Sequence, residues 1–278
     1  MSTIRNAVIV SDLHCGCQLG LCPNKVTLDE GGTYHSSTIQ KKVKAFWDYF
    51  FRERVPLMTR GEPYVLVVNG DAIDGSHHGS THQISHNIKD QMDIAYEILA
   101  PQVEKAAAYY HIRGTEVHVG KSGCNEDMLA TRLGASPDAE GRAARYQVWL
   151  QIGEGLAHIL HHIGTTGSNA YESTALTKEL AESYTEAGRW GRRPPDVVVR
   201  SHRHRAFQIT GPSKGGYGIC CTTPGWQLKT PFTHRIPGAR VSEPQFGGIV
   251  LRYGDEDGLY SRSWVKSIGR SKVEVVEV

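Results

Sequence analysis

The decapeptide VIVSDLHCGC, residues 8–17, sets the problem this chain poses. An apolar run, Val8 to Val10, passes directly into Ser11, Asp12, Leu13 and His14. A short apolar run that stops at polar residues reads as a buried strand. The strand therefore delivers a carboxylate and an imidazole two positions apart. In an extended segment residues i and i+2 share a side, which aims Asp12 and His14 at one place.

The same arrangement recurs along the chain. "YVLVV" (64–68) is a second strand and ends in Asn69, Gly70 and Asp71. "LAHIL" (156–160) ends in His161 and His162. "DVVV" (196–199) ends in Arg200, Ser201, His202, Arg203 and His204. Four apolar strands each finish in metal-capable side chains, and in α/β sheets sites gather where the carboxyl ends of strands converge. Several imidazoles and carboxylates buried at one sheet edge are costly unless something compensates their charge and lone pairs, and cations do so.

The rest of the chain is organised around these strands. Ser37 and Gln40 in "SSTIQKKVKAFWDYFF" form a capping box, and Ile39, Val43, Phe46 and Phe50 fall at helical spacing. A helix around 86–100, carrying Ile88, Met92, Ala95 and Leu99 on one stripe, is expected to end or kink at Pro101. "YYHI" (109–112) is a weaker strand and "NEDMLATRL" (125–133) a short helix. "YQVWLQI" and "LAHILH" are strands joined across "GEG", a helix occupies about 169–187, and the C-terminal third is β-rich. Strands alternating with helices, then a run of strands, describe a sheet-rich α/β protein. No linker divides it, so residues 1–278 read as one domain.

Composition agrees. The chain has 278 residues, 39% hydrophobic and 22% charged, with a net charge of +2. That is too near neutral to argue for nucleic acid or a membrane by long-range attraction. No window approaches the ~20 apolar residues of a membrane span, and the N-terminal stretch is too short for a signal peptide. The six cysteines, without an export signal, read as reduced thiols in a cytoplasmic protein. Cys15, Cys17 and Cys22 have no second Cys pair to complete a zinc cage, so small buried residues are expected there.

Asp-x-His, then Gly-Asp-x-x-Asp-Gly, a His after a strand, and a late His-x-His resemble the calcineurin-like metallophosphoesterase family in order and in strand context. "SDLHCG", "LDEGGTY" and "PGWQL" are also similar to phosphoesterases encoded by tailed phages and prophages. The resemblance implies two mixed β-sheets packed face to face and flanked by helices, a four-layer αββα fold with two divalent metals at the strand ends. It makes Asp12, His14 and His204 ligands of the first metal and Asp71 a bridge. His202, with His161 or His162, would hold the second. A donor set of N and O without thiolate suits Mn, Fe, Zn, Ni or Co. The implied activity is hydrolysis of a phosphate ester by a hydroxide held between the two metals, without a Ser or Cys nucleophile.

The chain departs from that pattern twice. Where the family has Gly-Asn-His after the third strand, this sequence has "RGTEVHVGKSGCNED" (113–127), with Thr115 in place of Asn and Glu116 in place of His. His118 is the candidate catalytic imidazole. Asn125 is the candidate ligand, with a helix cap or a ligand role for Glu126 as alternatives. The family's phosphatases that act on phosphoproteins carry Arg after Gly-Asp-x-x-Asp; here Asp74 is followed by Gly75 and Ser76, which disfavours a phosphoprotein. His77, His78 and His82 follow on a loop beside the cleft. Asp74 is expected either to orient a metal ligand or to stabilise a turn.

Arg189, Arg192, Arg193, Arg200, Arg203 and Arg205 form a basic run in which Arg203 and Arg205 could meet a polyanion. Trp226 and Phe232 offer a stacking surface or, preferably, packing. A phosphodiester, nucleic-acid or nucleotide substrate is therefore expected ahead of a phosphomonoester. The rival is a metal-binding scaffold without turnover.

Overall fold

The computed structural model describes residues 3–77, 79–164, 168–213, 216–236 and 239–269. Among them the elements run β1 (Asn6–Val10), β2 (Lys25–Thr27), β3 (Thr33–His35), α1 (Thr38–Tyr49), α2 (Val55–Thr59) and β4 (Val65–Asn69). Then follow α3 (Ile88–Val103), β5 (Ala108–Ile112), α4 (Glu116–Val119), α5 (Cys124–Arg132), β6 (Ala144–Arg145), β7 (Val148–Ile152) and β8 (Gly155–Ile159). The chain continues through α6 (Glu172–Arg189), β9 (Val197–Arg200), β10 (Phe207–Ser213), β11 (Gly216–Thr222), β12 (Phe246–Gly254) and β13 (Gly258–Lys266).

Two mixed sheets carry the fold, in the orders β13-β12-β1-β4-β5-β6 and β10-β11-β9-β8-β7. In the first, β1, β4, β5 and β6 are parallel and β12 runs antiparallel to β1. In the second, β8, β9 and β11 are parallel while β7 and β10 run against their neighbours. The sheets face each other because alternate residues of their strands are apolar. Ala7, Ile9, Val65, Val67, Ile249 and Leu251 of the first pack with Ile159, Val197, Val199 and Ile219 of the second.

The intervening residues face outward and are covered as well. Val8, Val10, Leu66 and Val68 lie under Val43, Trp47, Ile94, Leu99 and Leu129 of α1, α3 and α5. Val198 and Cys220 lie under Leu176 and Leu180 of α6. Strands buried on both faces read as continuous apolar runs, which is why β1 and β4 have no polar alternation. The result is the four-layer αββα architecture that the resemblance implied.

Three local expectations need correction. The buried stripe of α1 is Gln40, Val43 and Trp47, continued by Phe50, whereas Ile39 is exposed. The capping-box glutamine goes inside because it also donates to the carbonyls of Cys17 and Gly20. Second, of the end or kink expected at Pro101 the end does not occur, since α3 runs through it to Val103. Its next amide, Glu104 N–H, still reaches the Ala100 carbonyl at 3.0 Å, so one missing donor near the C-terminus does not stop the helix. Third, residues following β1 and β9 are not extended, as described below. The cysteines behave as expected: all six are free, and five are buried. No helix among the described residues is long and apolar enough to cross a membrane.

Candidate metal centre

The C-terminal ends of β1, β4, β8 and β9 meet at one edge of the sandwich, and each turns sharply there. Asp12, His14, Asp71, His202 and His204 all have left-handed backbone, with φ between 46° and 70°. Only two other non-glycine described residues do so, Arg60 and Ser122. Such angles are disfavoured for residues with a Cβ and cluster at functional sites. Asp12 with His14, and His202 with His204, do share a side, but through tight left-handed turns in place of strand alternation. The chain leaves the sheet edge at once and folds its side chains back over the strand ends.

Two groups of donors result. Asp12, His14 and His204 present ligand atoms within 4.8 Å of one another, and so do Asp71, His161 and His202. Asp71 also lies within that distance of His14 and His118, which puts it between the groups. His14 Nε2 and His204 Nε2 are 3.2 Å apart, and His204 Nε2 is 3.2 Å from Asp12 Oδ1. His161 Nε2 is 3.1 Å from Asp71 Oδ2. Asp12 Oδ1 is buried and accepts no hydrogen bond, with His204 on one side and His161 4.0 Å away on the other. A buried carboxylate oxygen without an aligned hydrogen bond is uncommon, and imidazole and carboxylate donors converging on one point in this way fit divalent cations.

Neighbouring groups fix which ring nitrogens face inward. His161 Nδ1 contacts the Asn69 carbonyl at 2.6 Å; a carbonyl only accepts, so Nδ1 carries the hydrogen and Nε2 faces the site. His14 Nδ1 lies 3.2 Å from Asp74 Oδ1, so Asp74 orients His14 in the way that carboxylates support metal-binding histidines. Gln83 and Gln227 donate to the same carboxylate. Of the His161–His162 pair, His161 joins the cluster, while exposed His162 lines the cleft beside it.

Electrostatics follow from this crowding. Burial raises the Asp12 pKa, but His204 and His161 overcome it and bring it to about 2. Asp71 is likewise held well below the usual carboxylate range, burial being outweighed by His161 and His202. Burial disfavours the charged form of His161, yet Asp71 and Asp12 raise it to about 10. Burial and the neighbouring His14 push His118 down to about 4.

The segment after β5 closes in a short helical turn. Thr115 N–H donates to Asp71 Oδ1 at 2.6 Å, and Thr115 Oγ1 to Asp71 Oδ2 at 3.2 Å. Glu116 is exposed. The short helix α4 then returns His118, three residues after Thr115, toward the site, since i and i+3 share a helix face. His118 packs edge-on to His14 with ring centroids 4.6 Å apart, and its Nδ1 contacts the Asp74 carbonyl at 2.5 Å.

Asn125 is not brought into the cluster. It lies in the first turn of α5 with its amide against Gly120, and Thr115 is the residue beside Asp71 and His202. The Glu126 carboxylate is engaged by backbone, accepting from Ala72 N–H at 2.9 Å and Gly114 N–H at 2.7 Å. Gly70 and Gly114 are bare for contact reasons. A Cβ on Gly70 would collide with His161, and one on Gly114 with Asp71.

Sequence reasoning missed a buried chain of hydroxyls that joins the strand ends of both sheets. Ser11 contacts Asp12 and Thr223; Ser201 contacts Thr223; Asn69 donates to Ser201 at 2.6 Å. Their signal was position alone, each lying at or just past a strand end.

Above the donors opens a cleft of about 840 Å³, walled partly by residues 227–230, 232–233, 235–236 and 242–244. Trp226 is fully buried against Trp47 and Phe50, whereas Phe232 is exposed on the cleft wall. Arg203 and Arg205 line the cleft but are both paired with buried Glu172, and Arg200 pairs with Glu179 under α6. His77 contacts Asp74 and His118; His78 lies outside the described residues.

No protein-family model matches the chain, and no curated protein does. Among solved structures it is similar to Vps29 of Chaetomium thermophilum, with 9% identity, a TM-score of 0.42, and coverage of 95% of this chain and 98% of that one. A hypothetical protein from Thermus thermophilus has 11% identity and a TM-score of 0.42 over 94% of this chain and 99% of its own. Sulfate thiohydrolase SoxB of Thermus thermophilus, in complex with glycerol, has 9% identity and a TM-score of 0.43 over 96% of this chain and 57% of its own. Likenesses this distant bear on neither substrate nor activity.

Proposed function

We propose that the chain is a metal-dependent phosphoesterase acting on a phosphodiester or nucleotide-type ester. The observation that carries this reading is the meeting of two three-donor groups around Asp71, with the buried Asp12 Oδ1 set between His204 Nε2 and His161 Nε2. Asp12, His14 and His204 would hold one divalent cation, and His161 and His202 the other, with Asp71 between. When bound, such a pair neutralises phosphoryl oxygens and makes a water nucleophilic near neutral pH.

The chain's own residues prepare the site for that chemistry. Asp74 and the Asn69 carbonyl hold His14 and His161 with Nε2 inward. His118 donates from Nδ1 to the Asp74 carbonyl and stays neutral at ordinary pH, so its Nε2 is an acceptor. It is suited to orient the attacking water or take its proton, and it protonates a leaving oxygen only after acquiring a proton itself. The cleft is large enough for an organic group beyond the phosphate. Phe232 offers a ring on its wall, and exposed Arg235 a charge. With Arg200, Arg203 and Arg205 engaged by Glu179 and Glu172, a small diester or nucleotide suits the cleft better than a long polyanion.

The test is to load the purified chain with Mn²⁺ and assay bis-p-nitrophenyl phosphate, p-nitrophenyl phosphate and single-stranded DNA. The diester should be hydrolysed fastest, and Asp71→Asn and His204→Ala should each lower its rate by more than about a hundredfold. Hydrolysis indifferent to both substitutions would overturn the proposal. Metal uptake without turnover on any substrate would instead support a non-catalytic scaffold, the reading favoured by Thr115 and Glu116 in place of Asn and His.

A further inference from the structure

The two donor groups are unequal. The first contains a carboxylate of its own, Asp12, besides the Asp71 between the groups; the second has only Asp71. Ligand charge and rigidity set cation affinity. Asp12 and His14 are buried, and His14 is braced by Asp74. In the second group His161 is equally buried and braced by the Asn69 carbonyl, but the His202 side chain is 42% exposed.

What completes the second group is Thr115. Its Oγ1 stands 3.2 Å from Asp71 Oδ2, 3.3 Å from His161 Nε2 and 3.0 Å from His202 Nδ1. Donor atoms that share an ion through bonds of about 2.1 Å stand about 3.0–3.4 Å apart at octahedral or tetrahedral angles. The hydroxyl is therefore spaced as a fourth donor of the set. It is also neutral and weakly donating, so it completes the group without supplying charge. Glu126 holds it there by clamping Gly114, the preceding residue.

We propose that the two cation positions fill in sequence: Asp12–His14–His204 first and tightly, then Asp71–His161–His202 weakly, with the Thr115 hydroxyl as the fourth donor of the weaker position. This rests on the cation-binding reading above, and it makes the second cation the exchangeable one. Activity would then follow free cation concentration over a range in which the first position is already full.

The experiment is a Co²⁺ titration of the metal-free protein followed by visible absorption, repeated with Mn²⁺ by calorimetry. Two phases at least about tenfold apart in affinity are expected. Thr115→Val, which removes the hydroxyl at nearly constant volume, should weaken the second phase by about tenfold more and leave the first unchanged. Thr115→Ser should retain the wild-type pattern, and Thr115→Asn should narrow the gap; circular dichroism checks that each variant folds. Two phases of equal affinity, or a second phase unmoved by Thr115→Val, would overturn the inference and leave the proposed function standing. Absence of stoichiometric uptake by the wild-type chain, or uptake unchanged by Asp71→Asn, would overturn both.

Discussion

Glu126 illustrates how a buried carboxylate can serve a site without entering it. Its two oxygens take the amides of Ala72 and Gly114, one residue after Asp71 and one before Thr115, so it ties together the two loops that present them. Glu126→Gln would turn an NH₂ group toward one of those amides. Charge-assisted hydrogen bonds of this kind contribute about 1.5–3 kcal/mol, so the variant should lose about 2–3 kcal/mol in a urea unfolding experiment; a loss below measurement error would contradict this role. At this scale the sequence was legible where donor side chains are explicit: Asp12, His14, Asp71, His202 and His204 are brought together at the strand ends. It was opaque where a common residue does an unusual task. Thr115 reads as a turn residue, and Glu126 as one more helix carboxylate, because nothing in either residue type records which backbone it will meet.

Elements of secondary structure were legible in proportion to their length and burial. The strands β1, β4 and β9 stood out by their Val-rich apolar runs, and α1 by its Ser37–Gln40 cap. A four-residue helix such as α4 has no periodicity to detect, yet it decides where His118 points. The β7–β8 hairpin carries a consequence of its own. His158 stacks on Trp149 at 4.2 Å and bonds Gln147, while Arg200 lies 3.4 Å from its Nδ1. Burial, then the Arg200 charge, depress its pKa to about 4. A depressed histidine contributes stability that is complete above the unfolded value near 6.5 and is lost as pH falls toward 4. In chelator-treated protein, wild type should therefore lose about 2–3 kcal/mol more than His158→Gln between about pH 7.5 and 4.5. Parallel pH profiles from urea unfolding would refute it.

For the molecule as a whole, alternation of strands and helices announced the layers, but not their pairing. Nothing local to "GGIVLRY" says that β12 lies beside β1, with Ala7 opposite Leu251; that adjacency comes from closing the sheet around a shared core. The donors come from strand ends of both sheets: β1 and β4 in one, β8 and β9 in the other. On the proposed function a cation bound among them would link the sheets, and a ligand at a hundred times its dissociation constant stabilises the folded state by about 2.7 kcal/mol. For a chain of this size that is an increase in melting temperature of about 5 °C. Calorimetry with and without Mn²⁺ should find it in wild type and not in Asp71→Asn.

The two side-chain-free positions, Gly70 and Gly114, constrain how this edge of the sandwich can diversify. On the proposed function, exchanging a histidine and an aspartate among the donors would keep a lone pair at each place, and the preferred ion would be open to retuning. No descendant can thicken the backbone at those two points without pushing His161 or Asp71 aside. The identity of the chemistry is therefore open to drift, while the gauge of the space in which it happens is fixed by what is missing from two residues.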